Sequence, residues 1–433
     1  MNVKKIKDFL FRVKDTLQIQ DEETYKRLTI RIRHQGVSLR DEAKGLNIGT
    51  KSQFWAKGGQ FIVSKIDARW GAFGIIPDYI DKAIITGNFW AYEIDRKQVT
   101  MEWFHFFTST EQFVQICRFA STGVTNRQYL DEKTFLNLEI PLPNLTEQET
   151  IVQKIKGFMA THSQAKAKIE ALQIDLKAYR KSILQEAIKG NLTEEWRANN
   201  LTEKIDLKTL KKETTKKQKP LAAIKADEMP FTLPKNWSWV RLGDVAITIS
   251  TGPFGTMLHK SDYVSNGIPL VNPMNIVNEK IVLSEKMMVD EATKKRLKSY
   301  VLKVNDIVIG RRGEMGRCAI VSDNEDGWLC GTGSFFLRLF PIIYNPFFIK
   351  LLSSEFVKNI LIGSSVGATM NNLNHRILFN LLIPLPPLTE QAEIVRILEE
   401  KMATITAAEE QLKALLAEQS QLQKSMMQEV FRG

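Results

Sequence analysis

The chain is poor in the residues that build covalent or metal frameworks. It has three cysteines among 433 residues, Cys117, Cys318 and Cys330. No CxxC pair occurs and the count is odd, which argues against a disulfide framework, and a reducing cytoplasm is the expected setting. The five histidines are scattered, and no HExxH or Cys/His cluster exists, so no metal site is expected. No run of eighteen apolar residues is present, so no segment is expected to span a membrane. The opening MNVKKIKDFLFRVKD is charged throughout and has no apolar signal core.

Catalytic motifs are missing too. In GLNIGTKS, Gly45 to Ser52, Thr50 separates Gly49 from Lys51, and the spacing of a phosphate-binding loop fails. NPFF at Asn345 to Phe348 has Phe347 where an amino-methyltransferase loop carries its second proline, and no glycine-rich cofactor loop precedes it. It reads as a turn leading into a helix, FFIKLLSSEF. Short Asp-x-Lys matches such as Asp131 to Lys133 arise by chance and define no nuclease. No catalytic residue and no bound cofactor are expected.

What is present is positive charge: a formal net charge of +11 and a pI near 9.3, on a chain that is 43% apolar. Such a chain can bury sizeable cores, and its charge favours a polyanionic partner, nucleic acid or an acidic membrane face.

The chain is also internally duplicated. Residues 140–190 and 383–433 align without a gap at an offset of 243, with 21 of 51 positions identical. They begin IPLPNLTEQETIV and IPLPPLTEQAEIV, and end KSILQEAIKG and KSMMQEVFRG. Upstream the likeness is weaker. The loop STGVTNRQYL from Ser121 matches SVGATMNNLN from Ser365, and FIVSKIDARWGAFGIIPD from Phe61 matches IVIGRRGEMGRCAIVSD from Ile307. The latter pair reads as a β-hairpin with a basic turn.

Each duplicated segment reads as a proline-stiffened lead-in followed by a long helix, with Thr146 and Thr389 as expected N-caps. Period-seven apolar positions run through Ile155, His162, Ile169, Leu176 and Ile183, accompanied by Phe158, Ala165, Leu172 and Tyr179. The second copy has Leu398, Ile405, Leu412, Gln419 and Met426, with Ala408, Leu415 and Leu422. This is a coiled-coil pattern. Its expected pairing residues are Ile155, Ile169, Leu172, Leu176, Leu412, Leu415 and Leu422, with His162 and Gln419 as polar register markers. Residues 146–190 carry 8 basic and 5 acidic side chains, and residues 389–433 carry 5 and 8. Opposite charge favours pairing within one chain, antiparallel by the logic of a duplication. Between the halves, residues 191–235 include the Lys-rich LKTLKKETTKKQKP and read as a solvated tether.

The order of these motifs — PLPxLTEQxxIV before a long helix, GNLTEEWR, LPKNWSWVRLGD, then the scheme again — resembles the specificity subunit of type I restriction-modification systems over essentially the whole chain. STGPFGTMLHKSDY, Ser250 to Tyr263, also resembles the opening of many target-recognition domains of that family. The resemblance implies an α+β fold. Two mixed α/β target-recognition domains, residues 1–145 and 236–388, are joined by spacer helices 146–190 and 389–433 in an antiparallel coiled coil with pseudo-twofold symmetry. It implies that each domain reads one half of a split, asymmetric site on double-stranded DNA. Two methyltransferase subunits dock on the helices, and restriction (translocase-nuclease) subunits complete the complex. S-adenosylmethionine, ATP and Mg belong to those partners. The first domain departs from the pattern: it lacks the LPxxWxxxxLGD opening, as if of a different subclass. Two other readings stay open: a related system with one fused methyltransferase-nuclease partner, and a coiled-coil scaffold whose basic charge is incidental.

Base reading needs Arg, Lys, Asn, Gln or His side chains presented from loops. In the first domain the expected DNA contacts are Lys65 and Arg69 in the hairpin turn, then Arg31, Arg33, His34 and Gln35 in RIRHQG, then Asn126, Arg127 and Gln128. In the second they are Arg311, Arg312 and Arg317, then His259 and Lys260, then Asn371, Asn372, Asn374 and His375.

Overall fold

The computed structural model describes residues 2–124, 127–207, 221–313, 316–363 and 373–431. Its contacts divide into two compact units: Met1–Glu170 with Leu412–Gly433, and Ala171–Gln411. Each unit holds a mixed α/β domain and one half of each of two long helices, Leu145–Lys189 and Leu388–Val430.

The two domains share a framework. In the first, four antiparallel strands run in the order Leu10–Val13, Phe89–Ile94, Phe61–Ser64, Phe73–Ile75. In the second the equivalent order is Ala246–Thr251, Ser334–Leu339, Ile307–Gly310, Cys318–Ile320. The expected hairpins are the last two strands of each set. A second match lies at the foot of each domain. Val3–Lys5 pairs with Glu139–Pro141, and Ser238–Arg241 pairs with Leu382–Leu385, with Val3 opposite Pro141 and Trp239 opposite Pro384. This register sets Val3-Lys4-Lys5-Ile6-Lys7-Asp8 against Trp239-Val240-Arg241-Leu242-Gly243-Asp244. The first domain therefore does have the opening strand and turn in degenerate form: basic residue, aliphatic, any residue, Asp. Buried Ile6 and Leu242 hold the same place.

The domains differ in what is inserted into the framework. The first carries a five-stranded sheet built from segments between Thr16 and Ile85, with its own small cores around Ile62 and Ile84. The second carries a smaller mixed sheet of Tyr263–Val264, Met288–Val289, Ile268–Val271 and Leu329–Cys330.

The helix lead-in is explained by one residue in each copy. Gln148 and Gln391 are fully buried. Gln148 Nε2 donates to the carbonyls of Pro143 and Gln98, both at 2.8 Å, and its Oε1 accepts from Thr100 N at 2.7 Å. Gln391 Nε2 donates to Pro386 O and Ile342 O, both at 2.9 Å, and accepts from Tyr344 N at 2.7 Å. A primary amide alone offers two donors and an acceptor to satisfy three buried backbone groups at once. The N-cap of the first helix is Asn144, not Thr146: Asn144 Oδ1 accepts from Glu147 N at 2.9 Å, and Glu147 returns a bond to Asn144 N at 2.8 Å. In the second copy Pro387 stands at this position and Leu388 begins the helix.

Within each unit the helices pair antiparallel. In the first, Ile151, Val152 and Ile155 share a core with Met426, Met427, Val430 and Phe431. Further along, His162 Nε2 lies 2.9 Å from Gln419 O. In the second, Ile183, Ala187 and Ile188 share a core with Ile394, Val395 and Leu398, and Arg180 reaches Thr406 Oγ1 at 3.2 Å and Glu409 at 3.0 Å. The end of each helix closes the other copy's domain. Phe431 packs on Trp103 and Phe107 at 6.0 and 5.6 Å between ring centroids.

The heptad reading needs one correction. Ile155 and Ile169 are buried, and Leu176 and Leu412 are half-buried, as pairing requires. Leu172, Leu415 and Leu422 are not: they are 50%, 44% and 49% exposed. In their place Gln173, Leu416 and Gln423 are half-buried, and Arg180 likewise in place of the exposed Tyr179. An α-helix of 3.6 residues per turn drifts about 20° per heptad against a 3.5 repeat. The companion position therefore slips from three to four residues after the main one in the second half of each helix.

The segment read as a tether is also packed where it is described. Gly190 ends the first helix at φ +84°, and a Cβ there would come within 2.6 Å of Pro234, as a left-handed helix terminus requires. Glu194–Asn199 forms a helix. Thr193 Oγ1 and Trp237 Nε1 donate to the fully buried carboxylate of Glu390 at 2.8 and 2.9 Å, with Arg197 3.5 Å away. GNLTEEWR and LPKNWSW are thus two sides of one lock on the second helix. Asn345–Phe348 is the first turn of the helix Asn345–Leu352, not a turn before it. The three cysteines are free and buried, and burial raises each thiol pKa, that of Cys318 to about 12. Among the described residues no helix is long and apolar enough to cross a membrane, and no group of three metal-ligating side chains is assembled.

Candidate nucleic-acid interface

The first residue after the strands Phe61–Ser64 and Ile307–Gly310 is basic in both domains: Lys65 and Arg311. Both are held in the same way. Lys65 N donates to Asn88 O at 2.7 Å, and Lys65 O accepts from Leu130 N at 2.8 Å. Arg311 N donates to Gly333 O at 2.9 Å, and Arg311 O accepts from Leu373 N at 3.0 Å. Each cation lies near an aromatic ring, Lys65 Nζ 5.8 Å from the centre of Tyr129 and the Arg311 guanidinium 5.2 Å from that of Phe335. Partial burial and the charge of Arg312 lower the pKa of Arg311.

In the first domain three loops converge. The Lys65–Ala72 loop contains a short 3-10 turn, Ala68–Trp70, closed by Gly71 at φ +81°. The tip of the hairpin between Thr24–Ile30 and Val37–Lys44 docks on it, with Arg33 N donating to Trp70 O at 2.6 Å and His34 N to Gly71 O at 3.3 Å. Arg33 and His34 both have left-handed backbones, φ +60° and +56°, a strained arrangement for residues with a Cβ. From the third loop, Gln128 Oε1 accepts from Arg69 Nη1 at 3.0 Å. Lys65, Arg69, Arg33, His34 and Gln128 are therefore one assembly, although up to 95 residues separate them. Arg31, Arg33 and Gln35 are exposed on it.

His34 is the exception. It is half-buried, its ring sits 5.6 Å from Phe73, and its Nδ1 is buried without a hydrogen-bond partner. Burial lowers its pKa, against the opposing pull of Glu111 and a Thr108 backbone bond. Its place is under the loop rather than on its surface. Two neighbours were missed from the sequence. Trp70 is 52% exposed, with the guanidiniums of Arg69 and Arg118 at 5.4 and 5.9 Å from its ring. Arg118, on the helix Glu111–Phe119, bonds to Arg69 O at 3.2 Å and to Glu111 at 3.1 Å. Only their spacing within folded loops brings them together, so no linear motif marks them.

The second domain is less convergent. Arg317 Nη1 donates to Pro273 O at 3.2 Å, and Arg312 is exposed beside Arg311. His259 and Lys260 are exposed on a separate loop, where His259 N bonds to Asp262 and Asp262 pairs with Arg296 at 3.0 Å. Asn374 is a helix N-cap, its Oδ1 accepting from Ile377 N at 2.9 Å. Asp131 does the same for Thr134 N at 2.8 Å in the first domain. His375 stacks on Phe379. Asn126, Asn371 and Asn372 and the side chain of Arg127 lie outside the described residues.

The family model for the type I restriction modification DNA specificity domain matches residues 1–173 and 234–418. The EcoBI specificity subunit of Escherichia coli is 26% identical over 314 residues, which cover 72% of this chain and 62% of that subunit. The EcoDI specificity subunit, also of Escherichia coli, is 24% identical over 70% of this chain and 64% of its own length. The chain thus spans less than two thirds of these relatives. The HsdS subunit of Thermoanaerobacter tengcongensis has the same fold, with a TM-score of 0.60 and 18% identity over 100% of this chain and 96% of that one. A chain from a structure of complex assembly and conformational transition of the type I R-M system gives a TM-score of 0.61 at 18% identity, covering 100% and 97%. With two framework domains, two antiparallel helices and a family match over most of its length, this chain belongs to the type I restriction modification DNA specificity family.

Proposed function

We propose that this protein is the DNA-reading, non-catalytic subunit of a type I restriction-modification complex. One domain reads each half of a bipartite, asymmetric site on double-stranded DNA. The paired helices set the gap, and two methyltransferase subunits, then translocase-nuclease subunits, assemble around them. The subunit itself needs no cofactor, and the complex works in the cytoplasm.

The observation that carries this reading is the equivalence of Lys65 and Arg311. Two domains of one chain present a basic residue at the same point of the same framework, each fixed by the same two backbone bonds. Two copies of a phosphate contact with different loops around them are what a reader of two different half-sites needs. The candidate contacts of both domains, His34 and Asn374 apart, remain part of this proposal.

The test is to co-express the chain with its methyltransferase partner and map N6-methyladenine across the host genome. A split motif with two unlike halves is expected. Replacing residues 1–145 by those of a relative should change one half only, and inserting a heptad into both helices should widen the gap. Binding to the mapped site should weaken linearly with the logarithm of salt concentration. Salt-independent binding, or both halves changing in the swap, overturns the proposal.

A further inference from the structure

Trp70 stands out on the surface of the first domain. A half-exposed indole is costly in water, and the turn that carries this one is fixed through its backbone. The Trp70 backbone N–H donates to Asp67 O at 2.9 Å, and its backbone carbonyl accepts from Arg33 N at 2.6 Å. Gly71 follows in a left-handed conformation where a Cβ would press on His34 N at 3.1 Å. Its two flanking guanidiniums are fixed in turn, Arg69 by Gln128 and Arg118 by Glu111 and the Arg69 carbonyl. Tyr129, 41% exposed beside Lys65, extends the same surface. An exposed ring on a fixed turn among cations matches a polyanion that has flat apolar faces inside it. That description fits DNA and fits an ordinary protein surface poorly.

We propose that Trp70 is a wedge that enters the base stack at one step of the half-site read by the first domain, with Arg69 and Arg118 against the flanking phosphates. The proposal rests on the DNA-reading function above. Apolar side chains inserted between base pairs partly unstack them and kink the duplex, and the loop that presents the ring need not be ordered on binding because its backbone is already fixed. Sequence preference then arises partly from how easily that step opens, since pyrimidine–purine steps yield most readily.

The experiment uses the complex with its methyltransferase subunits, without methyl donor, and duplexes carrying 2-aminopurine at successive positions of the first half-site away from the methylated adenine. Wild type should raise the fluorescence at one step. Trp70→Ala should abolish that rise and weaken binding about tenfold or more, with the salt slope unchanged, because no charge is removed. Trp70→Phe, which keeps an aromatic face, should retain most of both. An unchanged fluorescence profile in Trp70→Ala, or affinity within twofold of wild type, overturns the wedge and leaves Trp70 as a support for Arg69. Loss of assembly with the methyltransferase in Trp70→Ala would instead make this a protein contact. If the wild-type complex shows no salt-dependent binding to the mapped site, it is the DNA-reading function that fails.

Discussion

Replacing Gln391 by Leu should unseat the second domain from its helix. The side chain is fully buried and satisfies two carbonyls, Pro386 and Ile342, and one amide, Tyr344 N. Leucine fills similar space and satisfies none. A buried polar group left without its partner costs about 1–3 kcal/mol. Three such groups give a loss of about 3–5 kcal/mol, placed near the low end because the leucine remains packed. That exceeds the roughly 0.5–3 kcal/mol of most substitutions. Gln391→Glu is the sharper control. It keeps the acceptor for Tyr344 N but sets a carboxylate against two carbonyls, so it should be at least as damaging at neutral pH. It should partly recover in acid, where the protonated group can donate again. Hydrogen exchange resolved by peptide should show faster exchange at Ile342–Tyr344 and at the start of the helix Leu388–Val430. Gln148→Leu should do the same at Gln98–Thr100. A loss below about 1 kcal/mol with unchanged local exchange would refute the reasoning that these glutamines, rather than the prolines before them, anchor the helices.

Three further outcomes are expected. Glu390→Ala should cost about 3–5 kcal/mol, the usual consequence of removing one partner from a buried charged cluster, and Glu390→Gln less, both read by chemical denaturation. Ile169→Ala should cost about 2–4 kcal/mol, whereas Leu172→Ala should stay within about 0.5 kcal/mol. Equal losses would restore the strict heptad. Burial holds the pKa of both His34 and His105 below 6.5. The unfolded chain therefore takes up protons that the folded chain refuses, and their contribution is complete above about pH 6.5 and is lost as the pH falls below it. Protection at the Arg31–Gly36 tip, taken relative to the intrinsic exchange rate at each pH, should fall on acidification, and His34→Gln should flatten that dependence.

The helices and the duplication were legible because they depend on local periodicity and on residues repeated at one offset. The LTEQ motif was legible as a string but not as a mechanism. Nothing in linear order says that its Gln reaches back to Gln98 or Ile342. The heptad failed at Leu172 and Leu415 because a straight helix drifts from a seven-residue period, and a pattern read in sevens cannot register that. The opening of the first domain was obscured because Ile6 and Lys7 replace Leu242 and Gly243 of the LGD triplet in the second. Only the strand pairing opposite Pro141 and Pro384 aligns them. Asn374 looked like a base reader because a capping Asn and a contacting Asn are the same residue in a loop.

The same comparison divides the candidate contacts by role. Lys65 and Arg311 sit at one framework position with the same backbone partners. Under the proposed function, a basic residue at the same framework position of both domains would not by itself tell unlike half-sites apart, so we propose these two as phosphate contacts that set register. Discrimination would then come from what differs, which in the first domain is the inserted sheet that carries Arg31, Arg33 and Gln35. Lys65→Ala and Arg311→Ala should therefore weaken binding to matched and mismatched duplexes alike and reduce the salt slope by about one. Arg33→Ala should narrow the gap between matched and mismatched first half-sites, where one base-reading pair is worth about 1–3 kcal/mol. The assay is a competition titration over single-base variants of the mapped site at two salt concentrations. If Lys65→Ala altered the preference at one base and Arg33→Ala shifted all sequences equally, the roles would be reversed, and the framework rather than the insertion would be the reader.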